Sequence, residues 1–271
     1  MEGTLHPTVR AFLDASATSA SIDTSPEGWI AYEQRKADRT NATEGTLTGY
    51  DCPLCRNRGY FRYVDAEGHP RNAECSCMAT RRNLDRIERS GLADLVERYA
   101  FSNWQVIDGW QQKALNKATA YAEHPDGWFL ACGSVGTGKS HLCTAICSKL
   151  MHDGIDVRYM LWRDISTQAK AAVNDQAAYA AIVEPLKSVQ CLYIDDLYKA
   201  GKGQQPTVAD VNLAFEILNA RYCDSTKLTV ISTERSLSEL IEIDEAVGSR
   251  IYERSKGHGF SFDGKQNWRL R

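Results

Sequence analysis

The chain has 271 residues, of which 43% are hydrophobic and 25% charged, so one large or two unequal globular domains with a packed core are expected. The formal net charge of −3 excludes an overall basic field for nucleic acid and leaves any such contact to local patches. No apolar run reaches the ~18 residues of a membrane span, and the first residues lack the apolar core of a secretory leader, so a cytoplasmic protein with no membrane contact is expected.

Residues 1–48 are polar and rich in Ser, Thr and Ala. Two short apolar patches, Ala11-Phe12-Leu13 and Trp29-Ile30-Ala31-Tyr32, predict helices joined by a Ser/Thr-rich loop. This segment reads as a partner-binding arm or as a loosely ordered terminus.

Residues 49–98 open with Cys52-Pro53-Leu54-Cys55, and Cys75-Ser76-Cys77 follows after nineteen residues. Two close pairs place two thiolates on each of two turns, the arrangement that tetrahedral Zn²⁺ takes. Between them residues 59–64 predict a strand and residues 65–70 its turn. Such a ribbon is too small to fold on its apolar surface alone, and a structural Zn²⁺ on Cys52, Cys55, Cys75 and Cys77 would supply the missing stability. A redox dithiol pair, an iron–sulfur cluster and four unconnected thiols are the alternatives. His69 falls in the turn and reads as solvated. Residues 80–98 carry Leu84, Ile87, Leu92, Leu95 and Val96 at helical intervals, broken into two helices at Gly91. Arg81, Arg82, Arg86 and Arg89 are candidates for phosphate contact or for a solvated helix face.

Residues 99–271 alternate helix and strand patterns, as an α/β domain does. A helix at 110–121 precedes an apolar strand at 128–132, and then come Gly133, Ser134, Val135, Gly136, Thr137, Gly138, Lys139 and Ser140. These eight fit G-x-x-x-x-G-K-[ST], and Leu142, Ala145, Ile146 and Leu150 supply the helix that must follow. In that context the backbone N–H groups close on phosphates at a helix N-terminus, Lys139 reaches the β- and γ-phosphates, and Ser140 places its hydroxyl on Mg²⁺. Strands follow at 157–161, 189–194, 228–232 and 259–262, with an Ala-rich helical region at 164–186. A helix at 207–222 has Val211, Ala214, Phe215, Leu218 and Tyr222 on one apolar face. Cys132, Cys143, Cys147, Cys191 and Cys223 lie in apolar stretches and are expected to be buried free thiols of a reduced compartment.

The strand at 189–194 runs into two carboxylates, fifty-five residues beyond Ser140. Asp195 is the residue expected on Mg²⁺, and Asp196 the one expected to orient or activate the attacking water. Ser232-Thr233-Glu234 ends the next strand and should face the same crevice. Arg250 and Arg254 share one helical face and suit either a γ-phosphate or surface ion pairs with Glu253 or Glu245. Lys199 and Lys202, with Gly201 and Gly203, form a basic loop that suits either a DNA path or a plain surface turn.

Over roughly residues 50–271 these features resemble the DnaC/DnaI-type helicase loaders of the AAA+ ATPases and the related IstB transposition ATPases, in the version carried by phages and mobile elements of Gram-positive bacteria. The resemblance rests on the cysteine knuckles and Arg-rich helix, Phe101-Ser102-Asn103-Trp104, the loop from Gly133 through His141 to Leu142, Tyr193 to Leu197, Ile231 to Glu234, Gly248-Ser249-Arg250, and the short last strand. It implies a P-loop AAA+ domain over residues 99–271, with a five-stranded parallel sheet and no large C-terminal lid, behind a zinc-binding ribbon with linker helices over 49–98. It implies ATP with Mg²⁺, bound by Gly133 to His141 and Asp195. Arg250 would act on a neighbour's ATP in a homo-oligomer of the ATP state. Glu234 falls where relatives usually carry the sensor-1 Asn, and Asp196 where many carry Glu, which predicts slow, regulatory hydrolysis. Arg254 and Arg269 are candidates for a second sensor. The implied partners are a DnaB-type hexameric helicase, gripped by the N-terminal region, and single-stranded DNA. The alternative is an IstB-like ATPase regulating a transposase on duplex DNA, which the ribbon disfavours. A metabolic P-loop kinase is disfavoured by the paired carboxylates and the arginine pair. A zinc module without hydrolysis is disfavoured by the intact Lys139, Ser140 and Asp195.

Overall fold

The computed structural model describes residues 25–201 and 204–270. The helix expected around Ala11-Phe12-Leu13 lies outside them, as do Lys202 and Gly203. The chain divides between Arg81 and Arg82 into two compact units.

In the first unit, α1 (Pro26–Ala42) begins at Ser25, whose hydroxyl accepts the Gly28 N–H, with Pro26 in the first turn where no donor is needed. Strands β1 (Tyr60–Val64) and β2 (Pro70–Glu74) form the expected hairpin, with Tyr60 opposite Glu74. The α1 helix is fastened to it. Asn41 Nδ2 donates to the Arg62 carbonyl at 2.8 Å, and the Arg62 N–H donates back to Asn41 Oδ1 at 2.9 Å. The hairpin has little apolar interior. Its buried centre is the four cysteines themselves, with Phe61 and Met78 packed against them.

Helix α2 (Cys77–Ser90) ends before Gly91, and the second expected helix is one turn, α3 (Ala93–Val96). Ile87, Leu95 and Val96 pack inward, whereas Leu84 is 43% exposed. The arginines of this stretch are engaged within the protein. Arg81 donates to the Thr48 and Tyr50 carbonyls, Arg86 pairs with Asp156 and Arg89 with Asp85.

In chain order the second unit continues with α4 (Gly109–Glu123), β3 (Trp128–Cys132), α5 (Lys139–His152), β4 (Val157–Leu161), α6 (Trp162–Ala171) and α7 (Gln176–Ser188). Then come β5 (Cys191–Asp195), α8 (Val208–Tyr222), β6 (Leu228–Thr233), α9 (Leu237–Ile243), α10 (Glu245–Arg254) and β7 (Gly259–Ser261). The five strands form one parallel sheet in the order β4-β5-β6-β3-β7. Successive side chains of β3 serve opposite faces. Trp128, Leu130 and Cys132 enter a core with α6 to α10, while Phe129 and Ala131 enter one with α4 and α5. Burial on both faces is why the strands read as unbroken apolar runs.

The helical region expected at 164–186 is two helices, with Asp175 capping the second through the Ala177 and Ala178 N–H groups. Helix α8 buries a broader face than expected, and Val211 and Tyr222 pack against the core. Leu213, Ala214, Ile217, Leu218 and Arg221 are buried, and Phe215 is 37% exposed. Cys223, expected inside, is exposed, because α8 ends at Tyr222 and Cys223 is its C-cap.

Arg221 widens that buried face. It is fully buried, and burial lowers its pKa to about 10. Its guanidinium donates to the carbonyls of Leu186, Lys187, Val189, Gln190 and Leu228 and to the Thr229 hydroxyl. It thereby gathers the ends of α7 and α8 and the starts of β5 and β6. Arg221→Met keeps most of the side-chain volume but strands those carbonyls, and it should lower unfolding free energy by about 3 kcal/mol in urea titration. A loss below about 0.5 kcal/mol, the scale of a surface change, would contradict this role.

Candidate nucleotide site

The loop from β3 to α5 is shaped by its glycines. Gly136 and Gly138 hold φ of +70° and +97°. A Cβ on Gly136 would lie 1.9 Å from Asn267 Oδ1, and one on Gly138 would lie 2.4 Å from the Trp104 ring. The positive φ strains a side chain at both positions, and at Gly138 the Trp104 ring also leaves no room for one. Helix α5 starts without a side-chain cap, so its first N–H groups and its dipole are left to an anion. Lys139 Nζ donates to the carbonyls of Gly133 and Ser134 at 2.8 and 2.7 Å. Burial lowers its pKa, and the Glu234 and Asp196 carboxylates oppose that shift. After β7 the chain turns back over this loop, where the Trp268 N–H donates to the Gly136 carbonyl at 2.8 Å. The described residues there form a short 3-10 turn, Trp268–Leu270, and no helical lid.

Asp195, at the C-terminal end of β5, is buried. Ser140 Oγ donates to its Oδ1 at 2.8 Å, Tyr159 Oη donates to its Oδ2 at 3.3 Å, and the Ser232 hydroxyl donates to Oδ1 as well. Burial and the Asp195 charge both push the Tyr159 phenol up, which keeps it a donor. A carboxylate and a hydroxyl side by side at the helix start are the hard oxygen ligands Mg²⁺ takes, so Ser140 and Asp195 fit that ion.

The next residues turn sharply. Asp196 and Tyr198 have φ of +58° and +60°, a region that non-glycine residues rarely occupy. Strand β6 holds them there. The Asp196 N–H donates to Ser232 Oγ at 2.9 Å, the Leu197 N–H to the Ser232 carbonyl at 2.9 Å, and Thr233 Oγ1 to the Leu197 carbonyl at 2.8 Å. The turn brings Lys199 Nζ within 2.7 Å of both Asp196 Oδ2 and Glu234 Oε1. Burial pulls the Lys199 pKa down, and the two carboxylates more than offset it.

A cavity of about 250 Å³ lies between the phosphate loop and the turn after β5, and Asp195 itself does not line it. Val135 to His141 line it, together with Asp196, Lys199 and Glu234, and its remaining wall includes Tyr99, Trp104, Trp268 and Arg269.

A family model described as the bacterial DnaA ATPase domain matches residues 95–255. The chain belongs to this family. Within it, the chain is 29% identical over 223 residues to the phage-like element PBSX protein XkdC of Bacillus subtilis (strain 168), covering 78% of this chain and 81% of that one. It is 28% identical over 174 residues to the replicative helicase loader DnaC of Escherichia coli (strain K12), covering 63% and 68%. A solved structure of the DnaC helicase loader matches with a TM-score of 0.53 and 21% identity, over 60% of this chain and 98% of that one. A DNA replication initiation factor matches with a TM-score of 0.51 and 21% identity, over 64% of this chain and 53% of that one, so the chain spans about half of that protein. The second unit is thus an AAA+ nucleotide-binding domain of the DnaA/DnaC type, in the style of phage-element relatives.

As a member of this family, the chain gathers at one cavity most of the residues the motifs single out. His141 lines it, but its Nε2 bonds the Ala100 carbonyl at 2.8 Å and its ring packs on Tyr99 and Trp104, with burial lowering its pKa. It acts as a neutral part of the wall. Arg250 is elsewhere. On α10 it bonds Asn219 Oδ1 at 3.1 Å and the Ala246 carbonyl at 2.7 Å, with its guanidinium 5.2 Å from the Phe215 and Tyr222 ring centres. Arg254 is engaged by the Ser225 carbonyl, whereas Arg269 lines the cavity. Motif spacing assigned no role to Tyr99, Trp104 or Trp268. The signal available was aromatic residues in otherwise polar stretches on both flanks of the domain.

The first unit carries the second candidate centre. The four cysteine Sγ atoms all lie within 4.8 Å of one another and are buried. Cys52–Cys75 and Cys55–Cys77 are 3.9 and 3.6 Å apart, too far for a disulfide and near the ~3.8 Å edge of a Zn–S₄ tetrahedron. The Gly59 N–H donates to Cys55 Sγ at 3.2 Å, as backbone amides do to a ligating thiolate. The donor set fits Zn²⁺, and at a closed site of this kind its part is structural. The purified protein should hold about one zinc per chain by elemental analysis. Chelation should expose residues 43–80 to protease while ATP binding by the second unit persists. Unchanged protection in metal-free protein would exclude a structural zinc.

Proposed function

We propose that this protein is an ATP-regulated helicase loader that grips a DnaB-type hexameric helicase and delivers it to single-stranded DNA. The observation that carries this reading is the site around Asp195, set in a domain of the DnaA/DnaC type whose relatives include a replicative helicase loader over 63% of this chain. ATP would lie against Gly133 to His141, with Mg²⁺ held by Ser140 and Asp195. Bound there, Mg²⁺ would neutralise phosphate charge, while Lys139 draws on the β- and γ-phosphates.

We assign Asp196 to orienting the attacking water. Its carboxylate is held by the Lys199 ammonium at 2.7 Å. Arg250 does not line its own chain's cavity, which suits a group offered to a neighbour's ATP in a homo-oligomer of the ATP state. We assign the segment of residues 1–48 to the helicase, the ribbon and linker helices of 49–98 to support, and residues 99–271 to ATP and single-stranded DNA. The cytoplasm, where free thiols persist, is the assigned compartment. No described helix is long and apolar enough to cross a membrane.

The host's hexameric helicase should co-purify with the chain, and the complex should differ in stability between ATP and ADP. Lys139→Ala should abolish ATP binding and that nucleotide dependence. Absence of any complex, together with ATP-dependent binding to duplex DNA, would overturn the loader reading and favour the IstB-like transposase regulator.

A further inference from the structure

The phosphate loop brings Lys139 to a triphosphate, but a second lysine stands in the same cavity. Lys199 is bound on both sides by carboxylates, Asp196 and Glu234, each at 2.7 Å. All three line the cavity with Lys139 and Ser140. The three are also within electrostatic reach of the Lys139 ammonium. Lys199 does not reach this place by chance rotation. Its N–H closes a turn on the Asp196 carbonyl at 2.9 Å, and the left-handed backbone of Asp196 and Tyr198 is held by Ser232 and Thr233 of β6. The lysine is 38% exposed and tethered at the site.

Two carboxylates beside a phosphate loop oppose its ligand. The last phosphate of ATP adds negative charge to a partly buried cavity that already contains both, and like charges at short range in such surroundings repel strongly. A lysine ammonium between them removes most of that repulsion. It has three donors on a flexible stem, so it can exchange a carboxylate partner for a phosphate oxygen with little backbone movement. ADP lacks the group that would compete for it. A residue whose contacts differ between the two nucleotide states shifts the equilibrium between them by that difference.

We propose that Lys199 reads the terminal phosphate. With ATP its ammonium leaves Asp196 and Glu234 for the γ-phosphate, and with ADP it returns to the two carboxylates. Asp196 is then free to act on water only when there is a γ-phosphate to attack, and the turn after β5 changes partners with nucleotide state. This rests on the nucleotide reading above and adds to it a triphosphate-specific cation supplied by the same chain.

The test is the ratio of affinities for a non-hydrolysable ATP analogue and for ADP, measured at equilibrium on the full chain with Mg²⁺. Lys199→Met should reduce the preference for the analogue about tenfold, with the analogue weakened well beyond any loss of ADP affinity. Lys199→Arg should restore most of it. Glu234→Gln removes one competing carboxylate and should move the preference the opposite way. Equal weakening of both nucleotides in Lys199→Met, or a Glu234→Gln shift in the same direction as Lys199→Met, would make the trio a purely structural clasp and overturn the proposal. If all variants keep the wild-type ratio while binding both nucleotides, the lysine's role alone fails. A wild-type chain that binds neither nucleotide overturns the nucleotide reading, and the lysine's role with it.

Discussion

One buried carboxylate holds the ATPase unit in register. Asp195 accepts from Ser140 at the start of α5, from Tyr159 on β4 and from Ser232 on β6. A charge at that depth is tolerable only when its oxygens are satisfied, so the three donors must arrive together. That condition fixes how α5 is seated and which residues of β4, β5 and β6 lie side by side. A one-residue slip of either flanking strand would turn Tyr159 or Ser232 to the opposite face and leave the carboxylate short of donors. The oxygens that close this network are also those that suit Mg²⁺, so a metal held there would depend on the same contacts as the strand pairing.

Further parts of the site follow from the end of β5. Ser232 does double duty, donating from its hydroxyl to Asp195 and accepting the Asp196 N–H. This bends the chain into a left-handed turn and points Asp196 and Lys199 into the cavity. The first unit obeys a different constraint. Its hairpin has too little apolar surface for a core, and its interior is four thiols at tetrahedral spacing. A metal held there would make stability depend on ligand geometry more than on burial.

The features legible in the sequence were those encoded by short-range patterns. The phosphate loop, the apolar strand ending in Asp195-Asp196 and the paired cysteines each declare their chemistry within a few residues, and the parallel strands showed as apolar runs because both faces are covered. The missed features depend on contacts distant in the chain. Nothing local marks Arg221 as buried, since its partners include carbonyls of residues 186–190 and 228. Phe215, placed inward by periodicity, is instead 37% exposed with the Arg250 guanidinium 5.2 Å from its ring centre. Lys199 looked like part of a basic surface loop because its second carboxylate, Glu234, arrives from the end of a different strand. The cavity wall from Tyr99, Trp104 and Trp268 likewise joins segments on opposite sides of the domain in sequence.

The account turns on Asp195 as both the organiser of the strand ends and the metal ligand. The most direct test is the Mg²⁺ dependence of ATP affinity in the wild type and in Asp195→Asn, with thermal unfolding followed in parallel. The account predicts that Mg²⁺ tightens ATP binding to the wild type, and that Asp195→Asn loses this gain while keeping the Mg²⁺-free affinity set by the phosphate loop. An Asp195→Asn variant that still gains full affinity from Mg²⁺ would contradict it.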